Sequence, residues 1–381
     1  MNMLSGLWHY FLISYESLLV LSITSVTCAL IGSFLVLRKL SMVSDAISHS
    51  VLLGIVIAFF ITKDVSSPLL IVGAALFGVL TVFAIEMLSG TGLVDNDDAV
   101  GIVFPLFFAL AVILITKFAR NVHLDTDIVL MGEVIMAPIN RVVVLGHSMP
   151  KALFQMSILF IVNLAFIIIF FKELKITTFD REFAIIAGFS STILFYVLMT
   201  LSSMTAVVAF DAVGAILVVS FLITPGASSY LITKDLKKMI LISCIYALIN
   251  SILGYLFAMI FNVSMSGMTA AMAGLTFFLT FLFNRDGLIT SIILRMKNKQ
   301  NFRLDLMIMH IGNHIGEEGE NEELGIDSIR NHLMWKQEEI EKHAKKLIEQ
   351  GIIYIDKKDA EYKLTEKGYT IYDKIKSDYG M

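Results

Sequence analysis

Nine stretches of this chain are each apolar over about twenty residues, and that pattern confines most of it to a lipid bilayer. A helix needs about 20 consecutive, mostly apolar residues to cross the hydrocarbon core, and any backbone left unpaired there costs several kcal/mol. The stretches are residues 15–37, 43–61, 67–88, 99–117, 152–171, 183–203, 205–223, 239–261 and 266–284. Two of them leave the count at eight or nine. Segment 43–61 carries polar residues near its start, and only Ser202-Ser203-Met204-Thr205 separates 183–203 from 205–223, which implies a tight hairpin or one interrupted element.

Charge divides the chain. Residues 1–296 hold 15 Lys/Arg and 16 Asp/Glu, and residues 297–381 hold 14 and 17. The expected architecture is an all-α polytopic membrane domain over residues 1–290, a linker at 291–301 and a small α+β domain over 302–381. Met1 to Tyr15 lacks a basic n-region and a cleavage site, so the first apolar run is expected to be retained. Cys28 and Cys244 both lie in apolar runs and read as buried thiols. A net charge of −4 gives no reason to expect nucleic acid as a partner of the whole chain.

Cationic residues gather at Arg38-Lys39, Lys172 to Arg181, Lys234 to Lys238 and Arg285 to Lys299. Such residues favour the cytoplasmic side, which places the polar C-terminal region in the cytoplasm. Nine spans then put the N-terminus outside; eight put it inside. Small residues at Gly73-Ala74-Ala75, Gly78, Gly214-Ala215, Ala270-Ala271 and Ala273-Gly274 predict close helix packing in lipid. Pro105 and Pro225-Gly226 predict interrupted helices where freed carbonyls face protein or a water-filled path.

Asp45 and His49 stand four residues apart in Ser44-Asp45-Ala46-Ile47-Ser48-His49-Ser50, between two apolar runs. On a helix they share a face, and ionisable groups beside hydrocarbon mark a site or pathway by default. Carboxylate oxygen with imidazole nitrogen suits manganese, iron or zinc better than copper(I). Capping or loop residues after Arg38-Lys39 are the plainer reading of the same pair.

Several stretches together resemble the permease subunit of ABC-type importers for manganese, zinc and iron. They are Gly32 to Ser41, SDAISHSVLLGI (44–55), DDAVGIVF (97–104), LDTDIVLMGEV (124–134), FKELKITTFDREFAIIAGFS (171–190) and DAVGAILVVSFLITPGASSYLIT (211–233). Ser44 departs from the family's glycine before the aspartate, and Gly226 from its alanine after the proline. The resemblance implies an ABC importer permease fold in the cell membrane. It implies that Asp45 and His49 contact the transported ion, with manganese favoured and zinc or iron as alternatives. It assigns Phe179, Asp180, Glu182, Ala184 and Gly188 to the element that couples to the ATPase. It further implies a second permease subunit, the same chain or a sister, a separate ATP-binding cassette subunit, and an extracytoplasmic metal-binding protein. The chain lacks G-x-x-x-x-G-K-[S/T], so it is not expected to hydrolyse ATP itself. No tightly bound cofactor is expected.

Other polar residues were weighed against these. Asp98 and Asp211 each precede an apolar run and read first as N-caps, with a pathway role as the lesser alternative. His123, Asp125 and Asp127 read as a solvated external loop, and Met265, Met268 and Met272 as packing. In the tail, three helical stretches (303–315, 326–335 and 338–350) precede a strand-turn-strand, and Thr365 opens a last helix. That order resembles the winged-helix domains of metal-dependent repressors. The acid excess argues against DNA and for an interaction or regulatory module. His310 and His314 form a second i, i+4 pair, read as solvated, with metal sensing as the alternative. The rival reading of the whole chain is a membrane-anchored, metal-responsive transcriptional regulator whose tail binds DNA.

Overall fold

The computed structural model describes residues 3–64, 67, 69–118, 134–144, 146–284, 287–317, 319–356 and 359–379. His123, Asp125 and Asp127 and most of the 124–134 stretch lie outside these. The chain divides into two compact units, residues 1–285 and 286–381.

Among its described residues, the regular structure of the first unit is helical apart from one hairpin. Its helices are α1 (Met3–Leu37), α2 (Ser41–Thr62), α3 (Leu69–Ser89), α4 (Asn96–Phe118), α5 (Lys151–Ile169), α6 (Phe171–Phe179), α7 (Arg181–Ile186), α8 (Ser191–Val213), α9 (Ala215–Ile232), α10 (Leu236–Phe261) and α11 (Met265–Phe283). Strands β1 (Arg141–Val144) and β2 (His147–Pro150) pair antiparallel ahead of α5. Among the described residues, nine helices are long and apolar enough to cross a membrane, which resolves the count left open between eight and nine.

The division near residue 204 is corrected. Ser202, Ser203 and Thr205 lie buried inside α8, where the Thr205 hydroxyl accepts from Asn163 Nδ2 at 2.8 Å and Ser203 donates to the Ala75 carbonyl. Hydroxyls inside a membrane helix are held by carbonyls and neighbouring helices, so they do not break it. The break falls at Gly214, whose φ of +85° favours glycine.

Helices in lipid gain nothing from excluding water from one another, so contact depends on small residues and a few polar links. A Cβ on Gly32 would stand 2.7 Å from the Leu222 carbonyl carbon, so glycine there lets α1 and α9 cross backbone to backbone. Gly54 on α2 and Gly73 on α3 serve the same purpose for their crossing. Ser251 joins α10 to Ser25 of α1 at 2.8 Å, and Thr276 of α11 donates to Asn250 of α10 at 2.7 Å.

Polar contacts also sort the helix ends. Arg38, in the α1–α2 turn, donates to Thr177 and Thr178 of α6 at 3.0 and 3.1 Å, and Lys237 of α10 lies over the Phe171 ring. The Asn284 side chain donates to the Leu231 carbonyl at this same end. The basic segments at 38–39, 172–181 and 234–238 therefore gather at one end of the unit. At the opposite end, Arg141 holds Glu16 through two hydrogen bonds of 2.7 and 3.0 Å.

The second unit comprises α12 (Leu288–His314), α13 (Glu320–Leu324), α14 (Ile329–Leu333), α15 (Gln337–Glu349), the antiparallel pair β3 (Ile353–Asp356) and β4 (Glu361–Leu364), and α16 (Glu366–Asp378). Residues 291–301, expected to form a linker, are helical within α12. The stretch expected to be helical from 326 to 335 shortens to Ile329–Leu333. Met307, Ile308 and Ile311 of α12 pack with Leu324, Ile340, Leu347 and Leu364 in a conventional apolar core. Thr365 caps α16 by accepting from the Gly368 N–H at 3.1 Å.

Candidate functional site

The approach to Asp45 and His49 is set by a tight reversal. Helix α1 ends at Leu37, Lys39 takes φ of +59°, and the Leu40 N–H reaches back to the Leu35 carbonyl at 2.8 Å while the Lys39 N–H bonds Val36. That bond pattern is a Schellman stop, normally built on glycine. Helix α2 follows at once. Its first turns carry Asp45 and His49 on one face, with His49 Nε2 3.6 Å from Asp45 Oδ1.

The neighbours Ser44, Ala46, Ile47, Ser48 and Ser50 are buried, while the Asp45 and His49 side chains remain 42% and 31% exposed. His49 packs beside Phe104 and Phe108 of α4, with ring centroids 5.7 and 5.8 Å away. The imidazole is thus held from one flank by aromatic rings and open on another, next to a carboxylate. Two ligands of this kind leave most of a metal's coordination shell free for water or a second protein surface. The sequence reading overlooked Phe104 and Phe108, although their i, i+4 spacing on an apolar helix was visible.

Asp98 and Asp211 are not brought into hydrogen bond or ion pair with this pair. Neither is an N-cap. Asp98 lies in the first turn of α4, after Asp95, whose carbonyl accepts from Ala99 N–H; a carboxylate there is favourable to the helix dipole. Asp211 sits in the last turn of α8, exposed, at the end where a negative charge is disfavoured. The next helix begins only after Gly214, which is why the expected cap does not form. The chain path places Asp98 at the basic end of the unit and Asp211 at the opposite end.

The 179–190 segment forms a capped helical knob. The Asp180 carboxylate accepts from Phe183 N–H at 2.8 Å and starts α7. Gly188, with φ of +84°, ends it, and Phe189 N–H returns to the Ala184 carbonyl at 2.9 Å. Ala184 faces inward and is fully buried, while Phe179, Phe183, Ile185 and Ile186 face out, Ile186 at 84%. Glu182 is exposed in the first turn. Of this outward apolar set, the sequence reading picked out only Phe179.

The chain matches the ABC 3 transport family over residues 11–284. It is 38% identical over 339 residues to the zinc transport system membrane protein TroD of Treponema pallidum (strain Nichols), covering 89% of this chain and 92% of that protein. It is 42% identical over 283 residues to the manganese transport system membrane protein MntD of Bacillus subtilis (strain 168), covering 74% of this chain and 95% of that protein. The TroD match is longer than the whole first unit, whereas the MntD match is short enough to fit within it. Among solved structures, PsaBC from Streptococcus pneumoniae in complex with Fab superposes with a TM-score of 0.64 at 28% identity, over 77% of this chain and 100% of that one. With the family match spanning nearly the whole first unit, the chain belongs to the ABC 3 transport family.

Proposed function

We propose that this protein is the membrane-spanning subunit of an ATP-driven importer of divalent transition metal ions, manganese first, with zinc and iron as alternatives. The observation that carries the reading is a carboxylate and an imidazole side by side and partly open, on a partly buried membrane-spanning helix of an ABC 3 family chain. Names of relatives support the substrate class: TroD belongs to a zinc system and MntD to a manganese system.

In this reading Asp45 supplies oxygen and His49 nitrogen to the ion. A second permease subunit facing the same surface would double the set to four ligands, which zinc accepts directly and manganese completes with water. The outward apolar knob of Phe179, Phe183, Ile185 and Ile186 docks on a separate ATPase subunit, with Asp180, Ala184 and Gly188 shaping it and Glu182 at its rim. Energy from ATP reaches the pair through a short route. Arg38 binds Thr177 and Thr178 on the helix leading into the knob, and the turn it occupies opens directly into α2. Alternating access then exposes the pair first to an extracytoplasmic binding protein and then to the cytoplasm. Asp211 and Asp98, at opposite ends of the unit, would attract cations at the entrance and the exit.

The basic end of the first unit faces the cytoplasm in this account, and the tail with it. We read the tail as winged-helix-like, because short helices precede an antiparallel strand pair and a final helix. Its excess of acidic over basic residues supports a regulatory module over a DNA-binding one.

The test is reconstitution of the chain with its ATPase in proteoliposomes, with the binding protein supplied outside. ATP-dependent uptake of manganese, zinc or iron is the expected result and names the substrate. Assembled complexes that move none of the three would overturn the proposal in favour of the regulator.

A further inference from the structure

The second unit contains a histidine cluster that plays no part in the transport reading. His310 and His314 lie on one face at the end of α12, Glu323 on α13 and His332 on α14. Three separate elements thus converge, drawn together by Ile311, Leu324 and Ile329, which are all fully buried. One ligand atom each from His310, His314 and Glu323 lies within 4.8 Å of the others. His332 Nδ1 is 2.8 Å from Glu323 Oε2, and the His332 and His310 rings lie nearly parallel at 6.1 Å. His310 Nε2 is 3.1 Å from the Glu323 carbonyl and 3.7 Å from its carboxylate.

We propose that His310, His314, Glu323 and His332 form a binding site for one divalent first-row transition metal ion, separate from the Asp45/His49 pair. Three imidazoles and one carboxylate are the donor set of a tetrahedral zinc-type site, where bonds of about 2.0–2.2 Å place ligand atoms roughly 3.3 Å apart. Contraction to that spacing would come from rotation of these four side chains, which are 12–37% exposed. Glu317 supports the arrangement: its carboxylate lies 3.0 Å from His314 Nδ1, the outer partner that orients a metal-binding imidazole through one nitrogen and leaves the other free.

Imidazole-rich sites follow the general order in which manganese binds more weakly than cobalt or zinc. The site therefore favours zinc or cobalt over manganese. Filling it would clamp α12, α13 and α14 together and make the unit's rigidity a function of metal supply, whichever ion the first unit moves.

The experiment uses the full-length chain in detergent, carrying Asp45→Ala and His49→Ala so that the transport pair contributes nothing. Metal is stripped with a chelator, and zinc and cobalt are titrated by calorimetry and by cobalt absorption. The expected result is one ion per chain and a tetrahedral cobalt spectrum, with affinity falling at least tenfold in His314→Ala and in His332→Ala. Circular dichroism checks that both variants remain folded. Hydrogen exchange on the chain with an unmutated tail adds an independent reading: zinc should slow exchange across residues 306–332. No ion bound, binding unchanged in both variants, or exchange unaffected by zinc would each overturn the proposal.

Discussion

The two units each place histidine beside carboxylate, and they do so in opposite ways. In the first unit Asp45 and His49 come from one turn of one helix, stand 3.6 Å apart and leave an open flank. In the second, ligand atoms of His310, His314 and Glu323 lie within 4.8 Å of one another and His332 Nδ1 lies 2.8 Å from Glu323, so three elements contribute. On the roles proposed for them, the difference is the expected one. An ion in transit has to enter and leave, so a transport site is better left half-built until a second surface completes it. A site that reports metal supply gains from holding its ion and from tying several elements together.

The same contrast extends to packing. The first unit relies on glycine crossings such as Gly32 against Leu222, and on hydroxyl links such as Ser251 to Ser25. The second relies on an apolar core of Met307, Ile308, Ile340, Leu347 and Leu364. Small residues and hydroxyls are how helices associate in lipid, whereas an apolar core is how a small domain gains stability in water.

The sharpest way to break the comparison is to remove the open pair. Outer partners of a metal ligand are worth about 10–100-fold, so loss of a direct ligand in Asp45→Ala or His49→Ala should cut metal uptake by more than ~100-fold, about 2.7 kcal/mol. Metal binding by the tail cluster should not change. Next in size is the docking knob. Phe183→Asp with Ile186→Asp should lower ATPase-driven uptake about tenfold, ~1.4 kcal/mol, with the same thermal melting, because both side chains point away from the unit. Gel filtration with the ATPase subunit would show the lost association.

A smaller effect is expected at Arg38. Arg38→Ala removes two charge-assisted hydrogen bonds to Thr177 and Thr178, which should slow uptake several-fold while metal affinity holds. Equilibrium metal binding beside initial uptake rates separates the two. The smallest effect lies in the tail. Arg303 bonds Glu339 at 2.6 Å and lies over the Trp335 ring. That hydrogen bond is the main reason the Glu339 carboxyl sits below its ordinary 4.5. A depressed carboxyl stabilises the fold above its unfolded pKa, and the contribution is lost as pH falls through the folded value. Arg303→Ala should therefore flatten the acid side of the tail's melting curve slightly, read by circular dichroism between neutral pH and below 4.5.

Hydropathy alone laid out most of the first unit, since nothing but a helix satisfies twenty apolar residues of backbone in lipid. It failed at residues 202–205, where a run of hydroxyls looked like a turn. Within a bilayer those hydroxyls find carbonyls and asparagine, and the true break at Gly214 was marked only by one glycine. Asp211 was misplaced by the same error, because moving the boundary turned a helix start into a helix end. The docking knob was more legible: Asp180 and Gly188 are start and stop signals at the right spacing. In the tail, His310 and His314 were visible as a pair on one helix face. Glu323 and His332 were not, because their approach depends on how Leu324 and Ile329 pack, and no local pattern encodes that.

In the proposed reading, transport resides in the Asp45/His49 pair of the first unit and does not need the second. One measurement addresses it: initial ATP-driven metal uptake in proteoliposomes, comparing the full chain, His49→Ala, and a chain ending at residue 285. Uptake should be lost in His49→Ala and kept within about twofold in the shortened chain, because 95% of MntD is matched within 74% of this chain. Uptake that survives His49→Ala would contradict it.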